Sequence, residues 1–158
     1  DPRSYFSMSQ SSVTVAEGGQ VTLDSIYHTS LSVYCLYWYR HLSVAQPEYI
    51  LQRCTNTSEH KENFAKSRFS DELQTSRKSR KLTISQLELS DAAVYYCVFS
   101  PTGMGTSHSL VQKLSWICEV ALRRAVCFQE IRNDGPNGLL LFCYNPRSCG
   151  SLFPVKYK

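Results

Sequence analysis

Seven cysteines, at positions 35, 54, 97, 118, 127, 143 and 149, are the side chains of this 158-residue sequence best equipped for chemistry. No two of them stand in a CxxC arrangement, which argues against a zinc site. His28, His41, His60 and His108 show no ligand-like spacing either, so no metal and no cofactor are expected. A search for a nucleophile with its base, a carboxylate dyad or a phosphate-cradling loop finds none, and the sequence does not read as an enzyme. The chemistry left to the thiols is pairing. An odd number of cysteines in an oxidising compartment leaves at least one thiol over or bridging to another chain. Asn56-Thr57-Ser58 is a glycosylation sequon, and Asn56 is the expected acceptor.

The elements that hold these residues must be cut from a chain with 42% hydrophobic and 12% aromatic residues, ten of them Tyr. That composition supports a sizeable core and fits β structure. The length suits one core plus an appendage. The net charge of +4 is concentrated in Arg77, Lys78, Arg80 and Lys81 and in Arg123 and Arg124, runs that are usually solvated loops. No nucleic-acid partner is expected from them. No run of about 18 apolar residues is present, so any membrane attachment is expected through parts absent from this chain. The opening Asp1-Pro2-Arg3-Ser4-Tyr5 lacks the apolar run of a signal peptide and reads as a mature terminus or a partial gene.

Alternating patterns recur along the first hundred residues. Val13 to Leu23 reads as two strands around a Glu-Gly-Gly turn. Cys35-Leu36-Tyr37-Trp38-Tyr39 puts Leu36 and Trp38 on one face and Tyr37 and Tyr39 on the other. Pro47 to Leu51, Arg68-Phe69 and Lys81 to Ile84 give further strands. The most specific motif is Asp91-Ala92-Ala93-Val94-Tyr95-Tyr96-Cys97. A Tyr two residues before a Cys matches the tyrosine corner of immunoglobulin folds, and Asp91 stands where such folds place an acid that pairs with an earlier Arg, here Arg68.

Taken in order, EGGQVTL, LYWYR, PEYIL, SRFS and LTISQLELSDAAVYYC resemble the T-cell receptor alpha variable family, over about Ser12 to Phe99. The resemblance implies an all-β fold: an immunoglobulin V-type antiparallel β-sandwich over residues 1–102, with 103–158 as an irregular or partly helical tail outside the family. It also implies antigen recognition in adaptive immunity, at the cell surface, as part of a receptor. The partners would be a beta-like variable domain and a peptide displayed on a histocompatibility molecule. The antigen loops would carry His28, Ser30, Tyr34, Arg53, Thr55, Val98 and Phe99, while Tyr39, His41, Pro47 and Tyr96 would face the partner domain. Trp38, Arg68, Asp91, Tyr95 and Cys97 would be the hallmarks of the fold. The alternative is an innate-type surface receptor or adhesion module with a genuine Cys-rich extension.

The sequence departs from that family in three places. Ser25 stands where the family has the Cys that bridges the two sheets to Cys97, so that disulfide cannot form. Cys35 and Cys54 fall on expected neighbouring strands, and are either a substitute bridge or two unpaired small hydrophobes. The tail has no joining segment at the right place. Pro101-Thr102-Gly103 and Val111-Gln112-Lys113-Leu114 can be back-translated to within one base of the heptamer and nonamer of a recombination signal, about two turns of B-DNA apart. Residues 103–158 therefore read as translated flank of an unrearranged gene segment, and Cys118, Cys127, Cys143 and Cys149 would carry no selected meaning. On that reading Leu110 to Ile131 forms an amphipathic helix by chance, stopped by Asn133-Asp134-Gly135-Pro136, and the core is complete without the tail.

Overall fold

A period of two decides how each strand sits. In a computed structural model that describes residues 4–7, 11–42, 48–57, 59–100 and 126–144, the strand Val21–His28 buries Val21, Leu23, Ser25 and Tyr27 and exposes Asp24, Ile26 and His28. With β1 as Tyr5–Ser7, β2 as Ser11–Val15 and β3 as Val21–His28, the chain continues through β4 (Cys35–His41), β5 (Glu48–Cys54) and β6 (His60–Lys61). Then follow β7 (Phe69–Gln74), β8 (Ser79–Ile84), β9 (Ala93–Ser100), β10 (Val126–Asn133) and β11 (Leu139–Tyr144). Among the described residues, one sheet has the order β1-β3-β8-β7 and the other β2-β11-β10-β9-β4-β5-β6. The first is the A-B-E-D sheet of the immunoglobulin sandwich, and β10-β9-β4-β5-β6 lie in the G-F-C-C′-C″ positions of the variable type.

Between the sheets lies one apolar core that includes Leu23, Leu36, Trp38, Leu82, Ile84, Tyr95 and Cys97. It also includes Cys127, Ile131, Leu139 and Leu141, which corrects the expectation that nothing after residue 102 contributes to it. β10 pairs with β9 through Cys127↔Cys97 and Phe128↔Tyr96, and β11 joins β10 to β2. Without that hairpin β9 would present a row of unpaired backbone groups at a sheet edge.

The expected helix is absent from its described part, because Val126–Asn133 is strand. The residues read as a helix stop are instead a hairpin turn: the Asp134 N–H donates to the Gly138 carbonyl at 2.8 Å, and the Gly135 N–H to Asn133 Oδ1 at 3.0 Å. Gly138 takes φ 90°, and a Cβ there would meet the Val15 carbonyl oxygen at 3.2 Å, so glycine is needed for both reasons. The same turn chemistry serves either element, and only the open edge of β9 chooses between them.

The basic run also needs correction. Arg80 is not solvated but fully buried, because it shares the inward face of β8 with Leu82 and Ile84. Its Nε and Nη2 donate to the two carboxylate oxygens of Asp71 at 2.9 and 3.2 Å, and both side chains are wholly out of water. The guanidinium lies 5.8 Å from the Trp38 ring centroid. This pair fills core space beside Ser25, whose hydroxyl donates to the Arg80 carbonyl at 3.4 Å.

Candidate functional site

At one end of the sandwich the loops after β3 and β5 are tied together. Thr55 Oγ1 accepts from the Tyr34 N–H at 3.2 Å and donates to the Ser32 carbonyl at 3.2 Å, and the Thr55 N–H donates to the Tyr34 carbonyl at 3.0 Å. Directly beneath, Cys35 and Cys54 are register partners on β4 and β5 and form a disulfide, so the pair left open by the sequence is a bridge. Thr55 thus fixes these two loops to one another. Arg53 lies half-buried on β5 with its guanidinium 3.5 Å from Glu59. His28 is exposed at the end of β3, stacked on Tyr5 and hydrogen-bonded to Ser7 Oγ at 2.5 Å.

Other expected contact residues face inward. Tyr34, Val98 and Phe99 are at most 4% exposed, which removes them as surface contacts in this conformation. Tyr34 stacks on Phe99 with centroids 5.3 Å apart, and its hydroxyl lies 2.7 Å from that of Tyr27. The reason is amphipathic: a phenol at a loop root buries its ring and finds a polar partner for its hydroxyl. The exposed residues of these loops include Ser30, Ser32, Val33, Asn56 and Thr57, of which Ser32, Val33 and Thr57 are not among the expected contact residues. Asn56 stands in the turn after β5, open to a glycan. The third loop lies outside the described residues.

The outer face of the larger sheet carries a ladder of aromatic rings. Alternation on β4 and β9 sends Trp38, Tyr95 and Cys97 to the core and Tyr39 and Tyr96 to the opposite face. There the register Tyr39↔Tyr96 stacks the rings 5.2 Å apart at 15°. Tyr37 and Tyr49 flank Tyr39 at 6.3 and 5.8 Å, and Phe128 extends the row from Tyr96 at 6.0 Å. Tyr39 and Tyr96 are only 1% and 0% exposed within this chain, so a partner domain reaches them only if this face opens. The Tyr39 hydroxyl is buried without a hydrogen-bond partner. His41 lies half-buried at the end of β4, and Pro47 lies outside the described residues.

The opposite end is closed by charge. Arg68 donates through Nη1 and Nη2 to the two Asp91 oxygens at 2.8 and 2.9 Å, and Arg40 Nη1 approaches the same carboxylate at 3.8 Å. Asp91 Oδ2 also accepts from the Glu88 N–H at 2.8 Å, and the Tyr95 hydroxyl donates to the Asp91 carbonyl at 2.7 Å. Burial alone would raise the Asp91 pKa. The hydrogen bonds from Arg68 and the Glu88 backbone, with the charges of Arg68 and Arg40, outweigh it and hold the carboxyl below its ordinary value.

Residues 8–112 match the immunoglobulin V-set domain family. Human T cell receptor alpha variable 38-2/delta variable 8 is 35% identical over 91 residues, covering 58% of this chain and 76% of the relative. The chain belongs to the immunoglobulin V-set family, in its T-cell receptor alpha variable group. Human T cell receptor alpha variable 14/delta variable 4 is 35% identical over 88 residues, 56% of this chain and 73% of the relative. The human T cell receptor alpha chain MC.7.G5 is likewise 35% identical over 91 residues, but these make up 32% of its length. As an antigen-receptor variable domain the protein is a receptor part and not an enzyme. Strands β10 and β11 lie beyond the residues that match the family.

Proposed function

We propose that this V-set domain is the alpha-type half of an antigen receptor at the cell surface, pairing with a beta-like variable domain and reading peptide on a histocompatibility molecule. The observation that carries the pairing is the aromatic face: Tyr39 stacks on Tyr96 with its hydroxyl buried and unpartnered, a group that a partner domain can satisfy once this face opens to it. Recognition falls to the loops clamped by Thr55 and the Cys35–Cys54 bridge, where small polar side chains are displayed on a rigid base. Coexpression with beta-type variable domains tests it. A 1:1 complex that forms with the parent and is lost with Tyr39→Ala supports the reading. A chain that stays monomeric beside every such domain removes it.

The β10–β11 hairpin favours a second reading, an innate-type surface receptor whose extension is part of the domain. In this chain the extension buries Ile131, Leu139 and Leu141 in the core and supplies Phe128 to the aromatic face. A messenger RNA that runs unspliced through the codons for residues 103–158 to a membrane segment would select this reading, and one that splices to a joining segment would select the first.

A further inference from the structure

Three thiols share one face of three adjacent strands. Cys97 on β9 and Cys127 on β10 are direct register partners, and both belong to the core. On β11, Cys143 stands opposite Gln129, one inward position along β10 from Cys127. A cavity of about 170 Å³ opens between this hairpin and β3, lined by Cys127, Gln129 and Cys143 with Asp24 and Ser25 across from them. Gln129 is 3% exposed; its Nε2 donates to the Asp24 carbonyl and to Cys143 Sγ, each at 3.1 Å, while its Oε1 is buried without a partner. Ser25 lines this space from β3. The cavity therefore joins the half-buried thiol of Cys143 to the fully buried one of Cys127, whose register partner is Cys97.

We propose that this cavity is a thiol–disulfide exchange site that takes a small-molecule disulfide at Cys143 and passes the oxidation inward to a Cys97–Cys127 cross-strand disulfide. Cys143 gives up its proton to solvent and attacks one sulfur of the small disulfide. A mixed disulfide forms as the donor's S–S bond breaks and one small thiol leaves. Cys127 attacks the Cys143 sulfur, handing its proton to the second small thiol as that leaves. Cys97 then attacks Cys127, and Cys143 returns to its thiol. The balance is one small disulfide and two protein thiols converted to one protein disulfide and two small thiols.

Directly opposed residues of an antiparallel pair have Cα atoms about 4.5 to 5.5 Å apart, inside the range a disulfide spans. The Cys35–Cys54 bridge joins register partners in the same way. Burial pushes the Cys97 thiol up to about 12, and that of Cys127 rises well above its ordinary value for the same reason, so neither starts the exchange from the folded core. Cys143 is the entry. The product would fasten β10 to β9 covalently and hold the closing strand in place.

The test uses the full chain with Cys118→Ser and Cys149→Ser, treated with oxidised glutathione and mapped by mass spectrometry after non-reducing trypsin digestion. Cuts at Arg124 and Arg132 put Cys127 and Cys143 on separate peptides. The expected product links the Cys97 and Cys127 peptides. Adding Cys143→Ser should slow that link on the order of tenfold, and Cys127→Ser should leave glutathione on Cys143. The mapping of the parent needs no folded variant. Cys97 left open to alkylation while Cys35–Cys54 is bridged overturns the disulfide, and so does Cys97 linked to any other cysteine. An undiminished rate with Cys143→Ser overturns the relay.

Discussion

Ending the chain at Ala125 removes β10 and β11 and should abolish cooperative folding. Phe128, Ile131, Leu139 and Leu141 are 0%, 1%, 0% and 6% exposed. Full burial of such a side chain is worth about 1.5 to 3 kcal/mol, so the four together contribute about 6 to 12 kcal/mol, an upper bound because the unfolded chain already hides some apolar surface. A domain of this size is stable by only about 5 to 15 kcal/mol in total. The deletion also bares the edge of β9, a template for aggregation. Urea unfolding followed by tryptophan fluorescence and circular dichroism should show a sigmoidal transition for the full chain and a sloping baseline for the truncated one. Leu139→Ala in the full chain gives a graded control, expected to cost about 2 to 5 kcal/mol. A truncated chain that unfolds cooperatively at the same urea midpoint would refute the reasoning, and residues 126–144 would then be an ornament on a finished sandwich.

Asp91→Ala leaves Arg68 and Arg40 facing a hole and should cost about 3 to 5 kcal/mol, read as a lower urea midpoint. Because the folded Asp91 pKa is depressed, the stability it supplies is fully present above the ordinary carboxylate pKa and is lost as pH falls through it towards the folded value; a parent midpoint flat across that acid range would contradict this. Cys54→Ser opens a loop of sequence separation 19 and should cost about 3 kcal/mol under oxidising conditions and nothing after reduction of the parent. With Cys127→Ser to keep the Cys97 thiol available, Ser25→Cys is expected to bridge to Cys97 and gain about 2 to 4 kcal/mol; an unchanged thermal midpoint in oxidising buffer would show that the two positions do not face each other. Mass spectrometry of material secreted from animal cells should find a glycan on Asn56.

The sandwich was legible wherever one local motif carried both pattern and register. Asp91 to Cys97 specifies the corner, the inward Cys and the outward Tyr96 in seven residues, and Arg68 follows from Asp91 because a buried carboxylate needs a cation. Arg80 was misread because a run of basic residues was weighed by composition. Its period of two with Leu82 and Ile84 already placed it on the inward face. The tail was misread for a non-local reason: nothing in Val126 to Asn133 shows that an open edge awaits it, and the turn that follows ends a helix or makes a hairpin equally well. The loop roots failed in the opposite direction. Tyr34 and Phe99 look like contact residues by type, but each ring is covered by the other and by Tyr27.

Loss of the inter-sheet disulfide changes what holds the two sheets together. The Cys35–Cys54 bridge joins neighbouring strands of one sheet, and the Arg80–Asp71 pair joins neighbouring strands of the other, so neither spans the core by itself. Among the described residues the ties that cross are non-covalent. At one end Arg68, next to β7, forks onto Asp91, next to β9, and the same carboxylate draws Arg40 on β4. In the middle Arg80 on β8 faces the ring of Trp38 on β4. At the other end Tyr27 on β3 meets Phe99 on β9 and the hydroxyl of Tyr34. A buried ion pair is costly to break but rarely better than apolar packing, so Arg80 and Asp71 do not replace a covalent link in energy. They pair two buried charges through two hydrogen bonds but leave Arg80 Nη1 without a partner and a cavity open beside Ser25, while the hairpin after residue 125 adds apolar burial to the same core.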